Sequence, residues 1–321
     1  MIAAESFWWR LPILAFTVLA FAYFVLKVVT GGAGVDFNYF WLAGELWAAG
    51  ENPYSDIFED QGDILFSGKQ NRPIYWAYPP NWWAICMVFA QGSFEIAGRS
   101  WTLMNGFFIL AGTMLALYTF RPPLILGLVF AGTTFSMSAT ALTLSLGQTS
   151  ALVFFGISLF LFALMRSNRP AMTLALVIMA LKPTFGLSFV FFLVPQRRWW
   201  PSLMWAAGSV ALMCVPALIS IGPVPLISGF FSRIALYGSL NINEPGTITG
   251  LKHLIFGVTG QSIGILWFAA LSALVGLALG RLATRAPEHS PTQAALLACL
   301  IAACLMIFPF HSYDMIPAVL I

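Results

Sequence analysis

Long apolar runs alternate with short polar connections along almost the whole chain. Long runs lie near 9–29, 94–120, 122–141, 149–165, 170–195, 200–221, 263–281 and 292–309, a shorter run lies at 81–92, and a last one begins at 315. A helix needs about twenty consecutive apolar residues to cross a bilayer, whereas the strands of a membrane β-barrel would show about ten residues of alternating hydrophobicity. The pattern therefore predicts an all-α polytopic membrane protein, a bundle of about 9–11 transmembrane or re-entrant helices.

The composition agrees with this prediction. Of the 321 residues, 60% are hydrophobic and 8% are charged, whereas roughly a quarter of the residues in a soluble domain are charged. We therefore predict a single integral-membrane domain over residues 1–321, and the formal net charge of +3 does not indicate a nucleic-acid partner. The last apolar run is incomplete at Ile321, so we expect the C-terminus to be truncated relative to the natural protein.

The basic residues predict the orientation of the helices. They cluster in short connections that contain Arg10, Arg121, Arg166, Arg169, Arg197, Arg198, Arg281 and Arg285. The positive-inside rule places these connections in the cytoplasm, so that the long loop at 31–80 lies outside the cell. This loop carries seven of the twelve acidic residues, which agrees with an extracytoplasmic position.

Two apolar segments are predicted to enter the membrane and return to the side from which they came. The connections at 166–169 and 197–198 are both basic, but a single apolar run joins them. Because a proline removes a backbone donor and disfavours a helix at the residue before it, we expect Lys182-Pro183 to divide this run into two half-helices. We expect the short run at 81–92, which follows Tyr78-Pro79-Pro80, to dip in from the outside in the same way.

With this topology, the polar groups that are costly in a membrane all lie toward the outer face. They are Asp36, Tyr78, Gln148, Lys182, the segment Asn241-Ile242-Asn243-Glu244, and His311-Ser312-Tyr313-Asp314. Ionisable residues inside membrane segments are rare, and they commonly mark functional sites. The pattern therefore predicts one extracytoplasmic site, and Asp36 is its first candidate because it stands at the mouth of the first helix.

Some of these residues also have a structural interpretation. Asp36 is a favoured N-cap residue, and it precedes a stretch at 38–49 that is typical of an amphipathic helix in the membrane interface. Lys182 could extend its ammonium group to the membrane surface, although an anionic partner such as a phosphate suits its central position better. The aromatic residues of this region favour a belt at the membrane surface over a sugar-binding platform. The tryptophans concerned are Trp41, Trp47, Trp76, Trp82 and Trp83.

Three further candidates have equally ordinary alternatives. Gln148 could be a polar turn residue between two helices. Asp314 could cap the start of a helix, or it could form with His311, three residues earlier, a pair that tunes a proton site. The residues alone leave both alternatives open.

An ordered series of short motifs resembles glycosyltransferase family 87. The motifs are Asp36-Phe37-x-x-Phe40-Trp41-x-Ala43-Gly44, Gly50-Glu51-Asn52-Pro53-Tyr54, Tyr78-Pro79-Pro80, Gly147-Gln148-Thr149-Ser150, Leu181-Lys182-Pro183 and Phe310-His311-Ser312-Tyr313-Asp314. They run in order from residue 36 to residue 314, nearly the whole chain. The resemblance implies a bacterial integral-membrane enzyme with a GT-C-like fold, in which the loop at 31–80 carries the catalytic residue and the donor is a polyprenyl-phosphate sugar.

The resemblance also implies roles for individual residues. Asp36 matches the aspartate that acts as the general base on the acceptor hydroxyl, in a reaction that inverts the anomeric carbon. Lys182 is a candidate to neutralise the charge that grows on the lipid phosphate. The remaining candidates for binding the donor phosphate or sugar are His311, Asp314, Gln148 and Tyr78.

The resemblance narrows the possible substrates and implies a cellular location, but it leaves the transferred sugar open. Mannose and arabinofuranose both remain open as the transferred sugar, and the acceptor is expected to be a lipid or a cell-envelope glycan. We expect the enzyme to lie in the bacterial plasma (inner) membrane, with its active site facing the outside or the periplasm. Its expected partners are the lipid bilayer, the lipid-linked sugar and the acceptor, without nucleic acid, while the oligomeric state stays open.

No cofactor is expected. The sequence shows no Asp-x-Asp pair within a divalent-metal constellation, and Glu59, Asp60 and Asp63 read as solvated charges, so we predict metal-independent chemistry. A transporter or translocator of lipid-linked sugars is an alternative, because transporters also use broken helices with a central ionisable residue. A non-catalytic assembly subunit is a third interpretation, but it would give Asp36, Lys182 and His311 no functional role.

Overall fold

The computed structural model describes residues 10–32, 34–66, 75–238, 240, 243, 248–261, 263–288 and 290–321. Within these residues the chain is α-helical, and its only β-type pairing is an isolated antiparallel bridge between Thr249 and Phe310. The α-helices in chain order are α1 (Arg10–Thr30), α2 (Phe37–Ala48), α3 (Ile57–Phe66), α4 (Trp83–Ala90), α5 (Phe94–Phe120), α6 (Leu124–Ser136), α7 (Ser138–Leu146), α8 (Ser150–Met165), α9 (Arg169–Ala180), α10 (Pro183–Leu193), α11 (Trp200–Ile221), α12 (Pro223–Gly238), α13 (Leu251–Thr259), α14 (Ile265–Ala283) and α15 (Pro291–Ile307). Three 3₁₀ segments occupy Pro80–Trp82, Arg197–Trp199 and Ser312–Leu320.

Several of these helices are long and apolar enough to cross a membrane. Among the described residues, four meet this requirement by length and composition: α1, α5, α14 and the continuous segment Arg197–Ile221. The pair α6 and α7, which is bent by 41°, can form a fifth span. Shorter apolar helices, such as α8 and α15, fill the space between the long ones. The predicted all-α polytopic membrane fold is confirmed.

The apolar run at 170–195 is divided into two helices, as predicted. Helix α9 has 12 residues and α10 has 11, which gives lengths of about 18 and 16 Å, too short for either to cross a bilayer alone. Lys182 stands between them with an extended backbone (φ −131°, ψ 80°), directly before Pro183. The chain therefore turns at Lys182 and leads back toward the end of the molecule from which α9 starts.

The short apolar run at 81–92 supports this turn. The 3₁₀ segment Pro80–Trp82 and α4 are together too short to span a bilayer, and they lead directly into the long helix α5. The Trp82 indole donates a hydrogen bond to the carbonyl of Leu181 (2.7 Å), and the Asn81 amide donates to that of Ala180 (3.3 Å). The last carbonyls of a helix have no partner within the helix, so the interrupted run relies on this second segment for its hydrogen bonds.

The polar and the basic connections lie at opposite ends of α8. This helix has 16 residues and is about 24 Å long, running from Ser150 to Met165. At its far end, the guanidinium groups of Arg121 and Arg166 both face the ring of Tyr118, at 5.7 and 5.4 Å from its centre. Two of the arginine connections used to predict the topology therefore meet on the side of the molecule away from Ser150.

The first loop folds back into the protein, and the helix expected at 38–49 is present as α2. Helix α2 packs against α4, and Phe40 lies at the centre of an aromatic cluster. Its ring centre is 4.6 Å from that of Tyr78, 4.8 Å from Trp82 and 5.1 Å from Trp101. Edge and tilted contacts between aromatic rings stabilise such a cluster beyond the area that they bury.

The expected tryptophan belt is wrong for three of its five members. Trp47, Trp76 and Trp82 are fully buried in this aromatic cluster, while Trp41 and Trp83 are half-buried. Trp47 and Trp76 contact each other edge to face, with ring centres 5.7 Å apart. A run of tryptophans in a membrane protein thus fills a protein core as readily as a lipid interface, because both environments accept a large apolar ring.

Three further details differ from the pattern of apolar runs. The run at 122–141 is divided at Met137, where the backbone is extended, and the Thr140 hydroxyl bonds the carbonyl of Thr134 across the bend (2.6 Å). Helices α12 and α13 lie in a stretch for which no element was predicted. The final run begins as a 3₁₀ segment that packs against α7.

Candidate active site

Asp36 is oriented by a neighbour that lies far away in sequence. It directly precedes α2, but its side chain makes no capping hydrogen bond with that helix, so the N-cap interpretation is wrong. Instead, its carboxylate Oδ2 accepts a hydrogen bond from the amide Nε2 of Gln148 at 2.5 Å, and its backbone N–H donates to the carbonyl of Leu146 at 2.8 Å. The side chain is half-buried. A carboxylate held in this way keeps its orientation while it stays reachable.

Two glycines allow the backbones around Asp36 and Gln148 to approach each other. Gly147 ends α7 in the left-handed conformation (φ 74°, ψ 36°), which residues with a side chain rarely adopt. A Cβ atom on Gly34 would lie 2.1 Å from the carbonyl carbon of Leu146, closer than any real contact. The site is therefore built on direct contact between the first loop and the turn that joins α7 to α8.

Lys182 forms a buried ion pair with Asp314. Its Nζ lies 2.5 Å from Oδ1 of Asp314, and the side chains are only 15% and 4% exposed. The Ser150 hydroxyl donates a second hydrogen bond to the same oxygen at 2.6 Å. Because α10 begins at Pro183, the turn between the two half-helices carries the ammonium group directly to this carboxylate. Lys182 was expected to face an anion, and in this structure that anion is Asp314.

Asp314 also caps the segment that carries it. Its Oδ2 accepts a hydrogen bond from the backbone N–H of His311 at 3.4 Å, and its own N–H donates to the carbonyl of His311 at 2.9 Å. The local cap interpretation is therefore correct, and the cap coexists with the ion pair. The His311 ring lies 3.3 Å from the side-chain oxygen of Asn243 and stacks loosely on Tyr313. The neighbours Asn241, Ile242 and Glu244 lie outside the described residues.

Tyr78 lies near the turn that carries Lys182, because its ring packs on Trp82, whose indole bonds the carbonyl of Leu181. Its ring belongs to the aromatic cluster, and its backbone carbonyl accepts a hydrogen bond from the Tyr54 hydroxyl at 2.6 Å. Burial of its hydroxyl end raises the pKa of Tyr78, and the negative charges of Asp36 and Asp314 raise it further, whereas contact with Thr149 acts in the opposite direction. The hydroxyl therefore stays protonated and remains a hydrogen-bond donor.

Two residues of one turn join most of the site. In the turn before α8, Gln148 contacts Asp36 and Ser150 contacts Asp314. Through Asp314 the network extends to Lys182 and His311. Five of the six residues that the sequence singled out are therefore joined in one network. The sixth, Tyr78, packs its ring on Trp82, whose indole bonds the carbonyl next to Lys182.

The sequence analysis missed three residues that surround this network. Arg233 and Tyr54 hold the first loop, and Tyr237 adds to the charge environment of Tyr78. Arg233 carried a usable signal, since it is the basic residue of α12 and lies apart from the basic connections. Among the described residues, no group of three or more histidine, cysteine, aspartate or glutamate side chains is placed to hold a metal ion. Metal-independent chemistry stays a prediction.

Comparison with known proteins identifies the family. The model of glycosyltransferase family 87 matches residues 76–309, a stretch that includes Tyr78, Gln148 and Lys182. Neither a curated protein nor a solved structure matches the chain significantly. The family match covers most of the chain, and it favours an enzyme over the transporter and the assembly subunit that the sequence left open. The chain belongs to glycosyltransferase family 87 and is a membrane glycosyltransferase.

Proposed function

We propose that this enzyme transfers mannose or arabinofuranose from a polyprenyl-phosphate donor to a lipid or cell-envelope glycan acceptor at the outer face of a bacterial plasma membrane. The observation that carries the proposal is the network around Gln148 and Ser150. One end of the turn before α8 orients the carboxylate of Asp36, and the other end contacts the buried pair of Lys182 and Asp314. These are the groups that a transfer from a phosphate requires.

Asp36 acts as the general base. The acceptor hydroxyl oxygen attacks the anomeric carbon from the face opposite the phosphate, its proton passes to the Asp36 carboxylate, and the bond between carbon and phosphate oxygen breaks with its electron pair on the phosphate. The anomeric configuration is therefore inverted. Gln148 contributes by holding the carboxylate in place, since an amide donor orients an acceptor without competing for the proton that is transferred.

Lys182 stabilises the leaving phosphate. Its ammonium group lies 5.5 Å from the ring centre of Phe185 and 5.6 Å from that of Tyr313, so that it is enclosed on two sides. A cation in such a low-dielectric site interacts with a phosphate more strongly than it would in water. Before the donor binds, Asp314 compensates this charge, and the donor phosphate then shares the lysine with Asp314. His311 and Tyr78 supply hydrogen bonds to the sugar or phosphate from the two sides of this pair.

A lipid-linked donor suits the position of the site. The network lies at the end of the bundle where α8 begins and where the interrupted pair α9 and α10 turns. Long helices with apolar exposed faces surround it, and a polyprenyl chain can lie against such faces while its phosphate reaches the polar end. A water-soluble nucleotide sugar would gain nothing from these surfaces.

The test is transfer by purified protein in nanodiscs from a panel of radiolabelled donors. The panel contains polyprenyl-phosphate mannose, polyprenyl-phosphate arabinofuranose and the corresponding nucleotide sugars. We expect product from one lipid-linked donor, and a loss of about 10²–10⁴-fold in Asp36→Asn, because general bases contribute about this much. Asp63→Asn, which alters an exposed acid of the same loop, is the matched control and keeps full activity.

Two results would contradict the proposal. Full activity of a folded Asp36→Asn protein would exclude Asp36 as the base. Product from nucleotide sugars alone would exclude the lipid-linked donor. The configuration of the product, measured by NMR on the new linkage, checks inversion separately.

A further inference from the structure

Arg233 is a buried arginine outside the network described above. It lies in α12, and its side chain is only 7% exposed. A buried guanidinium group is costly unless it is paired and hydrogen-bonded, and each of its nitrogens faces a partner in the first loop. Nε donates to the carbonyl of Tyr54 at 2.9 Å, Nη2 lies 2.5 Å from Oδ1 of Asp56, and Nη1 lies 3.7 Å from Oε2 of Glu59.

The contact with Tyr54 is the best protected of the three. The Asp56 side chain is 91% exposed and that of Glu59 is one-third exposed, so that water and salt weaken both ion pairs. Tyr54, in contrast, is 2% exposed. It packs on Gly229, where a Cβ atom would lie 2.8 Å from that of the tyrosine, so that only a glycine lets α12 come this close. The geometry therefore fixes the position of Tyr54 above all.

Tyr54 in turn holds the backbone at Tyr78. Its hydroxyl donates a hydrogen bond to the Tyr78 carbonyl at 2.6 Å. This bond crosses from one part of the first loop to the part that enters the Pro80–Trp82 segment. The ring of Tyr78 then packs on Phe40 of α2, the helix that follows Asp36. It also packs on Trp82, whose indole bonds the carbonyl of Leu181 next to Lys182. A continuous path of direct contacts therefore leads from Arg233 through Tyr54 to Tyr78.

We propose that Arg233 is a positioning residue of the active site, which acts through Tyr54 to hold Tyr78 between the first loop and the turn at Lys182. The proposal rests on the proposed function for its kinetic consequence. Arg233 does not touch the reacting groups itself. Helix α12 anchors the first loop through this arginine, so that Tyr78 keeps its position while a substrate enters.

The sharpest variant is Tyr54→Phe. It removes a single oxygen and with it the hydrogen bond to Tyr78, while the contacts of Arg233 with the backbone of Tyr54 and with the two acids remain. We expect kcat to fall about three- to ten-fold, the effect of one hydrogen bond, with little change in the KM for the donor. We expect Arg233→Gln to lower kcat by at least as much. Arg233→Lys keeps the charge but loses the forked set of donors, so we expect its kcat to lie between those of Arg233→Gln and the wild type.

Hydrogen exchange of the resting protein provides a readout that does not depend on catalysis. In Tyr54→Phe we expect faster exchange at the amides of 76–78 and unchanged exchange at 54–59. In Arg233→Gln we expect faster exchange in both segments. Arg198→Gln is the matched control, because Arg198 pairs with Glu288 on the basic side of the molecule and should alter neither segment.

The outcomes separate the two proposals. If Arg233→Gln loosens 54–59 but leaves both 76–78 and kcat unchanged, the arginine only anchors the loop and the positioning role is wrong. An unchanged kcat in Tyr54→Phe contradicts the role as well, even if Arg233→Gln fails to fold. If the exchange pattern is as expected but the wild-type protein transfers no sugar from any donor, the path to Tyr78 stands and the proposed function fails.

Discussion

At the scale of single residues, the contact between Gln148 and Asp36 predicts how a substitution changes the pH dependence of the activity. Gln148→Glu keeps the size of the side chain but places two carboxyl groups 2.5 Å apart. Like charges at this distance raise the pKa of the pair, so that the base becomes available only at higher pH. We expect the acid limb of the plot of kcat/KM against pH to move to higher pH. Gln91→Glu, at an exposed position, should leave the plot unchanged.

The Lys182–Asp314 pair predicts a strong dependence between two substitutions. Lys182→Met leaves a buried carboxylate without its cation and should cost about 3–5 kcal/mol of unfolding free energy. The double variant Lys182→Met with Asp314→Asn removes both charges and should regain most of that stability while remaining inactive. Unfolding in detergent measures the stabilities. Costs that simply add in the double variant would show that the two residues act independently.

The sequence singled out the candidate residues but not their partners. Asp36, Lys182 and His311 stood out because charged groups are rare in membrane segments, a signal that needs no structure. That Gln148 would reach Asp36, 112 residues away, depends on how two loops pack, and no local pattern contains that information. Lys182 was expected to pair with a phosphate. Its partner in the structure, Asp314, lies 132 residues further along the chain, so no local pattern could show that the two are neighbours.

At the scale of elements, the contact between the first loop and the turn before α8 depends on a glycine. Gly34→Ala would place a methyl group 2.1 Å from the Leu146 carbonyl carbon, so that the loop must move away and Asp36 with it. We expect at least a ten-fold loss of kcat although no reacting group is altered, because small displacements of a catalytic group are costly. Gly32→Ala is the matched control, because its Cβ would meet nothing within 4 Å. Equal activity of the two variants would contradict the close approach.

The interrupted helix could be predicted, whereas its neighbours could not. Two basic connections joined by one apolar run require a reversal, and Pro183 marks the position. Helices α12 and α13 left no comparable pattern, since they have 16 and 9 residues and lie among prolines and glycines. The burial of Trp76 and Trp82 was equally hidden, because an aromatic side chain has the same character in a core and at a lipid interface.

At the scale of the whole molecule, the separation of basic and polar ends predicts a labelling pattern. Single cysteines at Ser145 and Ser312, both exposed near the network, should react with a membrane-impermeant maleimide added to intact cells. A cysteine at Ser167, exposed among the arginines, should react only after the membrane is opened. The four natural cysteines, of which Cys299 is exposed, are first replaced by alanine. The reverse pattern would place the active site on the cytoplasmic side.

The contacts of the site join residues that are far apart in the sequence, and this separation has a consequence for biosynthesis. Arg233 follows its partner Asp56 by 177 residues, and Asp314 follows Lys182 by 132. At about 5–20 residues per second, the ribosome adds the first of these partners roughly 10–35 s after the acidic loop has emerged. During this interval the acidic loop lacks the arginine that holds it, and Lys182 lacks Asp314 until synthesis has proceeded further still. The network is therefore completed only when the last described segment of the chain has been made, so a shortened chain would keep the first loop and Lys182 but lose the anion that pairs with this lysine.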